Sequence, residues 1–273
     1  MMALTQLEQV QLFIEAKGEG IPILMFHGGL GLDHTYLTPY FDTLTDHYSV
    51  IYFDHRGNGR SQKPEDYAQL NFEVLCNDAD AVRQHLGHEK VIAIGHSYGG
   101  FIAQEYAVRF QEHLLGMVLI DTVPALDYQP QPTRGNDEQL AALSAAFTRP
   151  MESDEDWQQT WSTLIQIYFT NYDPAVGKAL DAATHYSSHA WNRANAMLAE
   201  YSTLATLPSL TIPTLVVSGR HDFVTPPDHG TERLARLIPN ASMHIFENSA
   251  HYPFIEEQES FFNVLRDWLK QFD

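Results

Sequence analysis

Cysteine is nearly absent from this 273-residue chain: Cys76 stands alone, which excludes an intrachain disulfide and agrees with a reducing compartment. Positive charge is also scarce. Sixteen Lys and Arg face 35 Asp and Glu, a formal net charge of -19. A surface so poor in clustered cations repels phosphate backbones and anionic lipid, so neither nucleic acid nor membrane is expected as a partner. No apolar run approaches the length that crosses a bilayer, and the opening Met1-Met2-Ala3-Leu4-Thr5-Gln6-Leu7-Glu8 has neither a basic stretch nor a long apolar core. A cytoplasmic location is the expectation. The chain also lacks Gly-Lys-Ser/Thr and a His-Glu-x-x-His pair, and Gly29-Leu30-Gly31 has no third glycine to make a dinucleotide loop. Neither a cofactor nor a metal is therefore expected. His185 and His189 stand four apart on a possible helix, a zinc-compatible spacing without a third evident ligand.

Apolar residues are plentiful, at 44%, enough for a sizeable core. Val10 to Glu15 alternates like an edge strand. Ile23 to Phe26, Val50 to Phe53, Val91 to Ile94, Met117 to Ile120 and Thr214 to Val217 are short, unbroken apolar runs, as in strands buried on both faces. Asn71 to Leu86 and Glu256 to Phe272 carry apolar residues at helical spacing and predict amphipathic helices, with Cys76 a small core residue on the first. The alternation predicts an α/β fold with a mostly parallel central sheet flanked by helices. It breaks between Thr122 and Leu210, where Pro124, Pro130 and Pro132, an acidic cluster at Glu152 to Asp156 and helix-like segments at 139–147, 157–169 and 190–204 replace it. That stretch is too long for a loop and predicts an inserted helical cap over 122–210, with the core divided between 1–121 and 211–273.

The chemistry concentrates where the runs end. Gly95-His96-Ser97-Tyr98-Gly99-Gly100 follows one apolar run and precedes a helix-like stretch, so Ser97 lies on a sharp strand-to-helix turn that thrusts its hydroxyl outward. A serine needs a base, and the base an orienting acid. Asp222 follows the run ending at Val217, and His251 follows Met243 to Phe246. Ser97, Asp222 and His251 are thus the candidate nucleophile, acid and base. Asp121, directly after Ile120, is a competing acid; His221 adjoins the favoured acid too closely and His244 lies within a strand. The N–H groups of Gly29, in His27-Gly28-Gly29-Leu30-Gly31, and of Tyr98 are the candidate oxyanion donors, with His27 as a brace for the loop.

Together with Asp54-His55-Arg56-Gly57-Asn58-Gly59-Arg60-Ser61, these motifs resemble the α/β-hydrolase superfamily over nearly the whole chain, and most of all its proline iminopeptidase-like branch. Two positions depart from that branch: Leu30 stands where proline is usual and Tyr98 where tryptophan is frequent. The resemblance implies a serine hydrolase that cleaves an N-terminal amide of a small peptide without cofactor. It also implies cap carboxylates that grip the substrate's free amine; Glu200 and the 152–156 cluster are the candidates. The 54–61 turn, by the same resemblance, is a scaffold beside the oxyanion loop. A small-molecule carboxylesterase, a lactonase or a carbon-carbon bond hydrolase uses much the same landmarks, and a non-catalytic ligand receptor is the alternative of another class.

Overall fold

A computed structural model describes residues 2–273. Eight strands form one sheet: β1 (Met2–Gln6), β2 (Gln11–Lys17), β3 (Ile21–Phe26), β4 (Tyr48–Phe53), β5 (Val91–His96), β6 (Leu114–Ile120), β7 (Thr214–Gly219) and β8 (Ala241–Phe246), in the order β1-β2-β4-β3-β5-β6-β7-β8. The two pairings of β2 are antiparallel and all others parallel. Every unbroken apolar run lies within a strand buried on both faces. Alternate residues divide between two cores. Leu24, Phe26, Ala93 and Leu119 pack on one side, and Ile23, Met25, Ile94 and Ile120 on the other.

One strand expectation is corrected. The alternating segment that begins at Val10 is not the edge of the sheet, because β1 pairs outside it in a hairpin running from Met2↔Glu15 to Gln6↔Gln11. Phe13 and Ile14 are consequently buried in succession.

Among the described residues the chain forms ten α-helices: α1 (Thr38–Phe41), α2 (Phe72–His85), α3 (Tyr98–Arg109), α4 (Asp137–Thr148), α5 (Asp154–Leu164), α6 (Pro174–Ala183), α7 (Ser188–Leu198), α8 (Thr231–Leu237), α9 (Pro253–Glu256) and α10 (Gln258–Leu269). The Asn71 side chain accepts from the Val74 N–H and starts α2, whose Leu75, Cys76, Ala79 and Val82 face the core. Along α10, Phe261, Phe262, Leu265 and Leu269 are buried at helical spacing.

Four helices, α4 to α7, lie between β6 and β7. Sequence periodicity points to three of them and misses α6, whose start is a proline capped by Asp173. The helix expected over 190–204 ends at Leu198, and the chain then turns back to pair Ser202 with Ala125. His185 lies in the link before α7, and it does not share a helix face with His189. Its Nδ1 meets Asp33 Oδ2 at 2.7 Å, while the His189 ring packs on Tyr67.

Candidate active site

Ser97 joins β5 to α3 with φ 55° and ψ -121°, a conformation that glycine adopts far more readily than serine. Its N–H donates to the Ile120 carbonyl and its own carbonyl accepts from Gly100, both at 2.9 Å, so the turn is tied to the neighbouring strand and to its own helix. The close approach of α3 to β3 requires Gly99: a Cβ there would sit 2.0 Å from the Phe26 carbonyl oxygen. The strain is thus held by packing on both sides. Ser97 opens into a cavity of about 90 Å³ whose wall also includes His251.

The candidate acid and base meet from two separate strand ends. Asp222, after β7, and His251, after β8, form a buried hydrogen bond of 2.8 Å between Oδ2 and Nδ1. Oδ2 of Asp222 also accepts from the Thr225 hydroxyl at 2.5 Å, and Oδ1 accepts from the Val224 N–H at 2.8 Å. Burial pushes the Asp222 carboxyl up, but the His251 charge and these hydrogen bonds outweigh it and hold the group at about 2. The carboxylate therefore stays ionised and fixes a proton on His251 Nδ1, leaving Nε2 as the basic nitrogen.

Asp121 is buried beside this pair, with φ 44° and its Oδ1 accepting from the Gly219 N–H at 3.0 Å. Burial, followed by the Asp222 charge, pushes its carboxyl well above the usual range. The two neighbouring acids are therefore shifted in opposite directions. Asp121, Asp222 and His251 bring one ligand atom each within 4.8 Å of one another, close enough to hold a cation. The directed His251–Asp222 bond already engages two of those atoms.

The candidate oxyanion loop lies against the elbow. Gly29 has φ 43°, and neither its N–H nor that of Tyr98 has a protein acceptor among the described residues. The Tyr98 N–H opens α3, where the helix dipole adds to its pull on a negative oxygen. His27 braces the loop as expected from the sequence: one ring nitrogen meets the Gly28 carbonyl and the other accepts from the His55 N–H, each at 3.1 Å. In the 54–61 turn, Asp54 Oδ2 accepts from the Arg60 N–H, and Asn58 Oδ1 receives the Gly31 N–H of the same loop.

Leu126, Phe147, Trp161, Tyr168 and Trp191 close the cavity from the segment between β6 and β7. That segment is anchored on the loop through Trp157. The fully buried indole stacks on Trp191 at 4.1 Å and 14°, and its N–H donates to the Gly31 carbonyl at 2.9 Å. Replacing Trp157 by alanine is expected to cost about 3–5 kcal/mol of stability, read as a lowered urea midpoint. A midpoint shift within error would show that the segment is not anchored there.

Against this geometry, a family described by the alpha/beta hydrolase fold matches residues 21–258. The chain belongs to the α/β-hydrolase family. It is an α/β-hydrolase enzyme, and its relatives include a proline iminopeptidase from Saccharolobus solfataricus, 23% identical over 93% of this chain and 86% of the relative. Another, from Pestalotiopsis fici, is 26% identical over 91% and 92% of the two chains. In the fold, an esterase from Exiguobacterium antarcticum superposes with a TM-score of 0.84 at 23% identity, covering 99% of this chain and all of the other.

Not every candidate of this α/β-hydrolase converges on the cavity. Glu200 is exposed just beyond the end of α7 and does not line it. In the acidic cluster, Asp156 pairs with Arg149, and Asp154 accepts from the Ser188 N–H and hydroxyl. These contacts engage the two aspartates within the segment itself, while Glu152 and Glu155 are exposed and none of the four lines the cavity. Conversely, sequence reasoning missed Thr225, Tyr36 and His96. The position of His96 beside the nucleophile is the only sequence signal among the three.

Proposed function

We propose that this α/β-hydrolase is a serine hydrolase of small carboxylic esters with an apolar acyl part, and that 122–210 acts as its cap. The carrying observation is the cavity: Ser97 and His251 lie at its base, its walls are aromatic and aliphatic, and no aspartate or glutamate among the described residues lines it. A substrate ammonium would lose its hydration there without gaining an anion, whereas an acyl chain loses nothing.

In this reading, Ser97 Oγ attacks the carbonyl while His251 Nε2 takes its proton, and the negative oxygen falls to the N–H groups of Gly29 and Tyr98. Asp222 stabilises the imidazolium. The same proton then goes to the departing alcohol, and water activated by His251 releases the acyl group from Ser97. An N-terminal aminopeptidase is the second reading, favoured by the proline iminopeptidases among the relatives.

Kinetics on p-nitrophenyl acetate and butyrate against proline β-naphthylamide separate the two. Ester kcat/KM is expected to exceed that for the amide by about 100-fold, the scale set by a buried charge without a partner. Glu200→Gln is expected to leave both values unchanged. Preferred cleavage of the amide, weakened by Glu200→Gln through a raised KM, would establish the aminopeptidase instead.

A further inference from the structure

Three buried hydrogen bonds link the two halves of the site behind the nucleophile. The Gly28 N–H meets Tyr36 Oη at 2.7 Å, Tyr36 Oη meets His96 Nδ1 at 2.8 Å, and His96 Nε2 meets the His251 carbonyl oxygen at 2.9 Å. Chemistry assigns every proton in this chain. A backbone N–H can only donate and a carbonyl oxygen can only accept, so His96 Nε2 carries a hydrogen. Burial, with the His251 charge next, pushes the His96 imidazole down to about 3, so the ring is neutral and Nδ1 offers a lone pair. The Tyr36 hydroxyl must then donate to Nδ1, which leaves its oxygen to accept from Gly28. No proton and no lone pair is used twice.

We propose that His96 and Tyr36 are positioning residues: a single proton-ordered strut that holds the oxyanion loop and the backbone of the base His251 at one spacing from Ser97. The inference rests on the serine hydrolase reading and adds the means by which its parts are registered. His96 is the residue before the nucleophile, so loop, nucleophile and base are all referenced to one imidazole. A Cβ on Gly28 would sit 2.8 Å from the His96 carbonyl oxygen and 3.0 Å from Ser97 Cβ, which shows how directly the loop rests on the elbow. The rings of His251, Tyr252 and Phe254 enclose His96 at centroid distances of 4.9, 5.3 and 5.2 Å, and Tyr36 packs on the latter two. The titratable groups facing the imidazole are Tyr36, Tyr252 and His251, with Asp222 behind the last. The sub-ångström tolerance of acyl transfer gives such a strut its consequence, since misplacement by about 1 Å costs on the order of 100-fold in rate.

The test joins a measurement independent of turnover to one that reads it. In wild-type protein, ¹⁵N chemical shifts of His96 are expected to report an Nε2–H neutral tautomer that does not titrate from pH 5 to 9. An Nδ1–H tautomer, or titration in that range, would overturn the strut. Tyr36→Phe and His96→Phe keep an aromatic ring but remove the hydrogen bonds. Each is expected to lower ester kcat by about 10–100-fold with KM changed less than about threefold. The double variant should fall little below the worse single one, because both break the same chain. Multiplicative losses, or losses confined to KM, would overturn the proposal. Failure of the underlying reading looks different: wild-type protein would then neither turn over esters nor be labelled at Ser97 by a fluorophosphonate, whatever the His96 tautomer.

Discussion

Ser97→Ala is expected to lower ester turnover by on the order of 10⁴–10⁶-fold, because loss of the nucleophile removes the covalent route and leaves only binding and oxyanion stabilisation. Labelling by a fluorophosphonate should vanish with it. The backbone at Ser97 supplies a second readout. A serine at φ 55° and ψ -121° is strained, and Ser97→Gly relieves that strain while deleting the hydroxyl. Ser97→Gly is therefore expected to be inactive yet more stable than wild type by about 1 kcal/mol, after the entropy lost by ordering glycine is deducted. A variant that keeps a tenth of wild-type turnover would remove Ser97 from the chemistry. A lower denaturation midpoint for the glycine variant would show that the turn is held without strain.

Asp222→Asn ranks next. Its expected effect is a fall of about 10⁴-fold in kcat, equivalent to about 5 kcal/mol of transition-state stabilisation, with little change in KM. The amide occupies the same space but supplies no negative charge to the imidazolium, and it no longer compels the proton of His251 onto Nδ1. The substitution also tests linkage. Because the Asp222 carboxyl is held at about 2, below an unfolded aspartate, it stabilises the folded state fully above roughly pH 4 and loses that contribution as pH falls towards 2. Melting temperatures of wild type and Asp222→Asn measured from pH 5 to pH 2 should converge as the acid limb is approached. Parallel curves would mean that the ion pair with His251 contributes nothing to stability.

Several features of the site are local and can be read in the sequence. The elbow needs only a strand end, a serine and glycines at the positions of closest approach. Gly99 against Phe26 is that requirement met. The candidate acid is legible because it follows β7, a strand buried on both faces whose end lies where loops gather, whereas the candidate base follows β8, a largely exposed edge strand, and is found by its chain order after the serine and the acid. A single residue type at a strand end does not decide between neighbours, however. Asp121 and Asp222 both qualify by position. Only packing turns the His251 Nδ1 onto Asp222 and leaves Asp121 facing the Gly219 N–H. Glu200 is a candidate only through what the family resemblance implies, and the chain turns after α7 and leaves it outside the cavity. Two further elements escape the sequence reading. α6 starts from a proline and a cap rather than from a long periodic stretch, and β1 is an exposed strand that acquires its identity by pairing with β2.

By itself, the sequence determined the alternation of strand and helix, the parallel sheet those runs demand, the serine at the elbow, and the candidates for acid and base. These depend on periodicity and on residues adjacent in the chain. Tertiary structure alone decided which aspartate binds His251, which aromatics line the cavity, and that Tyr36 and His96 join the loop at Gly28 to His251. The physical reason is the range of the interactions. The geometry of a turn is set by a handful of consecutive dihedral angles, whereas a hydrogen bond between residues 96 and 251 exists only after the whole sheet has brought its strand ends together.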